Sequence, residues 1–304
     1  MTSPKIRVEQ LPYIADSSRL FDNFADEPWA VFLDSGRPYC VQGRYDIVSS
    51  RPYAILETFN GFTNVHKKGI VEKLDEDLLI LLKKMLGCQN QLPEGIPFAG
   101  GAIGYFSYDF ARSLENLPKL AKNEENIPES VFGIYDWAVV TDHIEKKTWL
   151  VGQGRDSNTF NSWENIKSKI FNLNPNIRFE VFKLVGELKS NMSMADYAKA
   201  FYKIKNYLKD GDCYQVNLAQ RFSAETSGSL WNFYKNLRVK HPSAFGAYIR
   251  TPYVTILSSS PECFLRTQAG KVETKPIKGT RPRSPNKEAD RQFAEELFRC
   301  EKDR

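Results

Sequence analysis

The sequence is poor in the residues that build disulfide frameworks, zinc sites and histidine-based catalytic sites. The three histidines, His66, His143 and His241, are isolated and form no triad or metal-ligand spacing. The five cysteines are scattered, odd in number and free of any Cys-x-x-Cys spacing: Cys40, Cys88, Cys213, Cys263 and Cys300. These features argue against a disulfide scaffold or a zinc site and favour a reducing, cytoplasmic environment.

Long apolar runs and blocks of like charge are also missing. No stretch approaches 18 apolar residues, and no apolar segment follows Met1 to Lys5, so we expect neither a membrane span nor a secretion signal. A net charge of +5, from 42 basic and 37 acidic residues, suits a small anionic ligand and predicts no nucleic-acid partner. The chain does have enough apolar residues to form a substantial hydrophobic core, since 41% of its 304 residues are hydrophobic and 13% are aromatic.

In the first half, short apolar runs between turn residues predict strands, with a few helices between them. A helix is predicted over Leu78–Leu86, with Asp75 as its N-cap and Gly87 as its stop, and another from about Ser162 to Leu173. The predicted strands are Trp29–Leu33, Gly101–Tyr108, Gly133–Thr141 and Thr148–Val151.

In the second half, Ser193 and Asp196 predict the start of a helix that ends at Gly211. Alternating residues then predict a strand over Cys213–Phe222, with Gln215 on its polar face. The remaining predicted elements are a helix over Ser229–Lys240, strands over Val254–Leu257, Cys263–Thr267 and Lys271–Lys275, and a helix from about Asn286.

This order of elements predicts an α+β fold, with mainly antiparallel sheets in a β-sandwich and helices packed outside. The polar stretch Gly186 to Ser193 is the best candidate boundary, which divides the chain into regions 1–190 and 191–304.

Glu262 and Lys278 flank a predicted hairpin that turns near Gly270. With a three-residue loop over Ala269 to Lys271, Gln268 faces Val272, and the same register sets Glu262 opposite Lys278. Directly opposite residues share a face, with Cβ atoms about 5 Å apart. Because Pro261 and Pro276 cannot donate to a ladder, the open end should splay and leave room for a ligand.

Two interpretations of this pair remain open. In the first, Glu262 and Lys278 form a weak cross-strand ion pair on a solvated face. In the second, they face a ligand, because Lys278 lies beside Gly279, where the backbone can approach a small molecule closely, and a neutral lysine amine is a nucleophile.

Several motifs in order resemble the anthranilate synthase component I-like family, and within it the component I chains of aminodeoxychorismate synthases. The second half carries Gly211–Phe222, Ser260-Pro261-Glu262 and Pro276-Ile277-Lys278-Gly279-Thr280. The first half adds Leu33-Asp34-Ser35, Arg44-Tyr45-Asp46, Gly100–Gly104 and Gly133–Trp137, so the resemblance covers essentially the whole chain.

The resemblance implies a catalytic lysine at Lys278 and a general acid at Glu262, with Gln215, Gly279 and Thr280 contacting the substrate. Lys278 would attack C2 of chorismate while Glu262 helps the C4 hydroxyl to leave. Ammonia from a glutamine amidotransferase partner would then give 4-amino-4-deoxychorismate, on the route to para-aminobenzoate and folate. Anthranilate synthases usually carry alanine where Lys278 stands, and isochorismate and salicylate synthases carry lysine where Gln215 stands.

The resemblance also implies a tryptophan pocket. The residues at its positions are Ser35, Gln42, Gly43, Arg44, Tyr45, Ala244, Phe245 and Gly246. The family pattern around Ala244, Phe245 and Gly246 often contains a Pro-Phe or Pro-Tyr pair, whereas this chain has Pro242-Ser243-Ala244-Phe245-Gly246. An inter-sheet core contact around Phe245 is therefore an equal alternative.

Family members are about half as long again as this chain. Their magnesium-ligating glutamates would lie beyond Arg304, so Mg²⁺ is the expected cofactor of a longer protein, and the 304-residue chain is expected to be inactive alone. The alternatives are an anthranilate synthase component I and a non-catalytic module that binds tryptophan or docks the amidotransferase.

Overall fold

The computed structural model describes residues 6–87, 92–120, 123–172, 177 and 179–301. Cys88, Met1 to Lys5, the predicted helix end at Leu173 and the last residues Lys302 to Arg304 lie outside the described residues. The chain divides into two compact units, one of residues 1–173 and 237–304 and the other of residues 174–236. The predicted division into functional regions 1–190 and 191–304 stays a prediction.

Seven α-helices and one 3₁₀ helix occur in the described residues. They are α1 (Ser17–Phe21), α2 (Leu78–Leu86), the 3₁₀ helix (Tyr108–Ser113), α3 (Ser157–Asn161), α4 (Trp163–Phe171), α5 (Met194–Asp210), α6 (Leu230–Lys240) and α7 (Lys287–Arg299).

Eighteen strands are found in the same residues. They are β1 (Arg7–Leu11), β2 (Val31–Asp34), β3 (Tyr45–Ser49), β4 (Ala54–Phe59), β5 (Phe62–Lys67), β6 (Ile70–Leu74), β7 (Gly101–Phe106), β8 (Ser130–Tyr135), β9 (Trp137–Asp142), β10 (Lys147–Gly152), β11 (Lys183–Leu184), β12 (Lys189–Ser190), β13 (Phe222–Ser223), β14 (Thr226–Ser227), β15 (Phe245–Arg250), β16 (Thr255–Ser260), β17 (Arg266–Gln268) and β18 (Lys271–Glu273).

Two antiparallel sheets form the first unit. One has seven strands in the order β1-β10-β9-β3-β2-β15-β16, and the other has five in the order β6-β5-β4-β8-β7. Buried side chains from both sheets pack together, among them Val31 and Ile249 from the first and Ile103 and Tyr135 from the second. The predicted α+β fold with a β-sandwich is confirmed.

Helix α2 covers the outer face of the five-stranded sheet. Its Leu78, Leu81 and Leu82 are buried against Leu56 and Phe132 of the sheet. The predicted bounds of α2 and its stop at Gly87 are confirmed, but the predicted N-cap is wrong, because the side chain of Asp77 accepts hydrogen bonds from the amides of Leu79 and Ile80. Asp77 immediately precedes the first helical residue, so its carboxylate reaches these two amides.

The predicted single strand over Gly133–Thr141 is also wrong. The chain breaks at Asp136, so β8 belongs to the five-stranded sheet and β9 to the seven-stranded one. The carboxylate of Asp136 accepts hydrogen bonds from the amides of Arg155 and Asp156, which fixes this corner. Strand β15, which no sequence signal predicted, joins β2 to β16.

In the second unit, helix α5 begins as predicted. Ser193 and Asp196 form a reciprocal capping box, and Gly211 ends the helix in the left-handed conformation at φ 83°. The predicted strand over Cys213–Phe222 is wrong, because Phe222 is the one residue of this described stretch that lies in a strand. With Ser223 it forms β13, which pairs with Ser190 and Lys189 of β12. Alternation makes a segment suited to a sheet, but a strand also needs a neighbour to receive its hydrogen bonds.

Candidate active site and the loop beside it

The segment that carries Glu262 leaves the edge of the seven-stranded sheet at the end of β16. The Ser259 hydroxyl donates to the carbonyl of His241 at 2.6 Å. The Ser260 hydroxyl donates to the Glu262 carbonyl at 3.1 Å and accepts from the Glu262 amide at 3.3 Å, across Pro261. Residues 261–265, the Glu262 arm, therefore begin with a turn held by a serine side chain.

The hairpin that follows has a different register from the predicted one. Gln268 pairs with Lys271 and Arg266 with Glu273, across a two-residue turn. Both turn residues are left-handed, with φ 49° at Ala269 and φ 76° at Gly270. This is the geometry of a type I′ turn, whose twist matches that of the strands. The predicted three-residue loop is wrong, and the observed register carried outward would set Glu262 opposite Ile277.

The ladder stops at Arg266 and Glu273, and the segment that carries Lys278 continues without regular structure. Residues 274–280 are the Lys278 arm. Its Thr274 hydroxyl donates to the Phe264 carbonyl of the Glu262 arm at 2.9 Å. Just beyond its other end, the Arg281 guanidinium donates to Glu296 of α7 at 2.9 Å.

Glu262 and Lys278 are both exposed, as is Thr280, and Gly279 is half-buried. Within the described part of the chain, no ion pair joins Glu262 to Lys278, so their cross-strand pairing is not observed. Their catalytic roles stay predictions. Gln215 lies in the second unit, exposed, in the segment where the predicted strand is absent.

The segments predicted to line a tryptophan pocket lie close together in the first unit. Gly246 pairs with Asp34, next to Ser35. A Cβ on Gly43 would lie 2.0 Å from the Ser35 carbonyl oxygen, and one on Gly36 would lie 2.5 Å from that of Ser243. Glycine is therefore required at both positions for the loop over residues 36–44 to pack as it does.

The other predicted pocket residues differ in exposure and contacts. Arg44 donates to Asp142 at 2.8 Å and lies over the ring of Tyr45, 4.7 Å from its centroid. Gln42 and Phe245 are exposed, and Ala244 is half-buried. Tryptophan binding by these residues stays a prediction.

A buried hydrogen-bonded chain fixes Ser35. Its amide and hydroxyl both donate to Oδ1 of Asp46, at 2.8 and 2.7 Å. Asp46 Oδ2 lies 2.7 Å from Nε2 of His143, whose Nδ1 lies 3.0 Å from the Tyr13 hydroxyl. Burial acts to raise the pKa of Asp46, but the hydrogen bonds of His143 and Ser35 outweigh it and hold that pKa below its ordinary value.

A buried arginine on α6 holds the other side of the same loop. Arg238 forms two hydrogen bonds to the carboxylate of Asp34, at 2.8 and 3.1 Å, and one to Asp16 at 2.9 Å. It also donates to the Arg37 carbonyl at 2.6 Å. Burial opposes the charge of Arg238, but the Asp34 carboxylate raises its pKa, so the guanidinium stays charged.

Sequence reasoning missed Arg238 and His143, and it gave Asp46 no structural role. Arg238 sits among the alternating polar and apolar residues of a helix, and His143 is a lone histidine next to a strand end. The available signal was the spacing Asp34-Ser35 and Asp46, three polar residues at the ends of two apolar runs. Such residues need buried partners, which only the tertiary contacts identify.

The described residues contain no group of three or more His, Cys, Asp or Glu that could hold a metal ion. The expected Mg²⁺ therefore finds no ligand set in this part of the molecule. Cys40, Cys213, Cys263 and Cys300 carry free thiols. No helix in the described ranges has the length and apolar character that a membrane crossing requires.

This sandwich, together with the motifs Ser260-Pro261-Glu262 and Pro276–Thr280 that include the two arms' key residues, is that of the chorismate binding enzymes. The model of that family matches residues 39–304, and the chain belongs to the family. The predicted family is confirmed.

Three individual relatives show which members of this family the chain resembles. Aminodeoxychorismate synthase component 1 of Escherichia coli (strain K12) is 36% identical, over 93% of this chain and 62% of that protein. The protein of the same name from Klebsiella aerogenes is 35% identical, over 97% of this chain and 64% of that protein. Anthranilate synthase component 1 of Acetivibrio thermocellus is 30% identical, over 93% and 61%.

Among solved structures, anthranilate synthase component I from Streptococcus pneumoniae TIGR4 is similar, with a TM-score of 0.72 and 25% identity. The likeness covers 87% of this chain and 59% of that one. The chain thus spans about three fifths of the length of the relatives it matches.

Proposed function

We propose that this protein is the chorismate-aminating component of an aminodeoxychorismate synthase and forms 4-amino-4-deoxychorismate from chorismate and ammonia. The observation that carries the proposal is Lys278, within Pro276-Ile277-Lys278-Gly279-Thr280. Relatives named aminodeoxychorismate synthase component 1 support it.

In the proposed reaction, the neutral amine of Lys278 attacks C2 of chorismate, and both conjugated ring double bonds shift, C1=C2 to C1=C6 and C5=C6 to C4=C5, as the C4 hydroxyl leaves. Glu262 donates the proton with which that hydroxyl departs as water. Ammonia then attacks C4 and gives up a proton to the Glu262 carboxylate, both double bonds shift back, and the Lys278 amine leaves C2. Covalent capture divides one difficult displacement into two easier ones.

The surroundings of the two arms are compatible with these roles. Both side chains are exposed, so a substrate can reach them. Gly279, beside Lys278, has no side chain to keep a ligand from the backbone, and the Thr280 hydroxyl is the proposed polar contact of this arm to chorismate. A contact from Gln215 stays a prediction of the family resemblance.

The words "component 1" in the relatives' names support a partner subunit. A glutamine amidotransferase, as the source of ammonia, is the proposed partner. Mg²⁺ is the proposed cofactor, but since the described residues offer no ligand set for it, no step is assigned to the metal. A cytoplasmic location is proposed as well.

The test uses the complete product of the gene that encodes this chain, incubated with chorismate, ammonia and magnesium. Lys278→Ala should lower the rate of aminodeoxychorismate formation by at least about 100-fold, and Glu262→Gln by about 100- to 10,000-fold. Lys275→Ala, which removes an exposed lysine three residues away, is the matched control and should leave the rate unchanged.

Chromatographic identification of the product separates the alternatives. If the product is anthranilate, the protein belongs instead with the relatives named anthranilate synthase component 1. No product, together with calorimetric binding of tryptophan or capture of a glutamine amidotransferase, would favour a non-catalytic module. Unchanged turnover in Lys278→Ala would remove the covalent step.

A further inference from the structure

One side chain joins the Glu262 arm to the Lys278 arm. The Thr274 hydroxyl donates to the Phe264 carbonyl at 2.9 Å. Phe264 lies two residues after Glu262, and Thr274 lies four residues before Lys278. Among the described residues, this is the hydrogen bond that links the two arms beyond the end of the ladder.

The position of this bond follows from the register of the hairpin. With a two-residue turn, Gln268–Lys271 and Arg266–Glu273 are the pairs that exchange backbone hydrogen bonds, and the pairs alternate along the ladder. The next such pair would be Phe264 and Lys275, in which the Phe264 carbonyl accepts from the Lys275 amide. The ladder ends before that pair, and the Thr274 hydroxyl supplies a donor to the same carbonyl.

The outer ends of the two arms are fixed separately. The Ser260 hydroxyl holds the start of the Glu262 arm through the Glu262 backbone, and Arg281 binds Glu296 after the Lys278 arm. Neither of these contacts sets the spacing between the arms. Pro261 and Pro276 have no amide N–H to add a backbone bond.

We propose that Thr274 is a positioning residue, whose hydroxyl sets the separation of Glu262 and Lys278 across the substrate. This inference rests on the proposed function, in which Glu262 and Lys278 touch chorismate. Thr274 itself acts through the Phe264 carbonyl and contacts neither reacting carbon. Small displacements matter, because a misplacement of about 1 Å can cost about 100-fold in rate.

The kinetic test compares Thr274→Val, which keeps the branched shape and loses the hydroxyl, with Thr274→Ser, which keeps the hydroxyl. Thr267→Val is the matched control, since it makes the same change on the exposed face of β17 in the same hairpin. In the complete gene product we expect Thr274→Val to lower kcat about tenfold, with KM for chorismate and the melting temperature unchanged. Thr274→Ser should restore kcat to within about twofold, and Thr267→Val should match the wild type.

A second measurement does not depend on turnover. A carbodiimide joins a carboxylate to an amine that reaches it, and mass spectrometry measures the yield of the Glu262–Lys278 amide. The yield should fall severalfold in Thr274→Val and return in Thr274→Ser.

The two measurements separate the inference from the proposed function. A wild-type protein that makes no aminodeoxychorismate contradicts the proposed function, and the cross-link yields then decide the role of Thr274 alone. Equal kcat and equal yields in Thr274→Val and the wild type would overturn the inference. A serine variant as impaired as the valine variant, or no cross-link in any variant, would also overturn it.

Discussion

Replacing Arg238 with methionine should cost a large part of the stability of the first unit. The guanidinium makes four hydrogen bonds, two of them to Asp34, and the side chains of Arg238 and Asp34 are only 3% and 1% exposed. Removing one partner of a buried ion pair costs about 3–5 kcal/mol, because the other charge stays buried. Methionine retains most of the apolar stem of arginine. The loss of stability therefore measures the removal of the charge and not the opening of a cavity.

The stability loss of Arg238→Met depends on pH, and the pKa of Asp34 determines the direction of that dependence. Burial raises the pKa of Asp34 above its ordinary value even with Arg238 present. In Arg238→Met the pKa of Asp34 should rise further, because the guanidinium is gone. Asp34 therefore binds a proton more tightly in the folded state than in the unfolded state. The deficit of Arg238→Met should therefore be full at pH 7 and shrink as the pH falls through the raised pKa, by up to about 1.4 kcal/mol per pH unit.

The assay is urea unfolding followed by tryptophan fluorescence at pH 7 and pH 5, with each variant compared with the wild type at the same pH. The control compares Arg238→Met combined with Asp34→Asn against Asp34→Asn alone. Both proteins lack the titrating group, so their difference should not shrink in acid. A loss under about 1 kcal/mol at pH 7, or a deficit that grows in acid, would refute the reasoning.

Other substitutions test the loop over residues 36–44 and, for comparison, the end of α5. His143→Phe should cost about 2–3 kcal/mol in urea unfolding, because Asp46 loses a buried partner. Since the pKa of Asp46 is lowered, this cost is present above its unfolded value of 3.8 and disappears as the pH falls through the folded-state pKa. Gly43→Ala should cost about 2–3 kcal/mol through its clash with Ser35, measured as a lower urea midpoint. Gly211→Ala, which meets open space at positive φ, should cost only about 1 kcal/mol by the same measurement.

The sequence predicted the elements whose signals are local. Helix α2 was found from its apolar spacing and its stop at Gly87, and the start of α5 from its capping box, all signals within a few residues of one another. The break at Asp136 was missed because β8 and β9 are both buried at every position, so no polar–apolar alternation changes where the chain passes between the sheets.

The candidate site shows the same limit. Its motifs identified Glu262 and Lys278, but the one-residue error in the loop at Ala269 changed the residue opposite Glu262. The sequence Gln-Ala-Gly-Lys permits either loop length, and the choice depends on the left-handed conformation of Ala269, a residue type that rarely adopts it. The partners of Arg238 were beyond reach, since Asp34 lies about 200 residues away along the chain.

The pairing of β2 with β15 has a consequence for the newly made chain on the ribosome. Val31 pairs with Ile249, so one side of β2 stays open until β15 has been synthesised. At about 5–20 residues per second, the roughly 200 intervening residues take about 10–40 s. For that time the emerging protein exposes an unpaired strand edge of Val31, Phe32 and Leu33, a surface that invites pairing with another nascent chain. Chaperone binding to nascent chains should therefore fall once residue 250 has left the exit tunnel, which ribosome profiling of chaperone-bound complexes can measure.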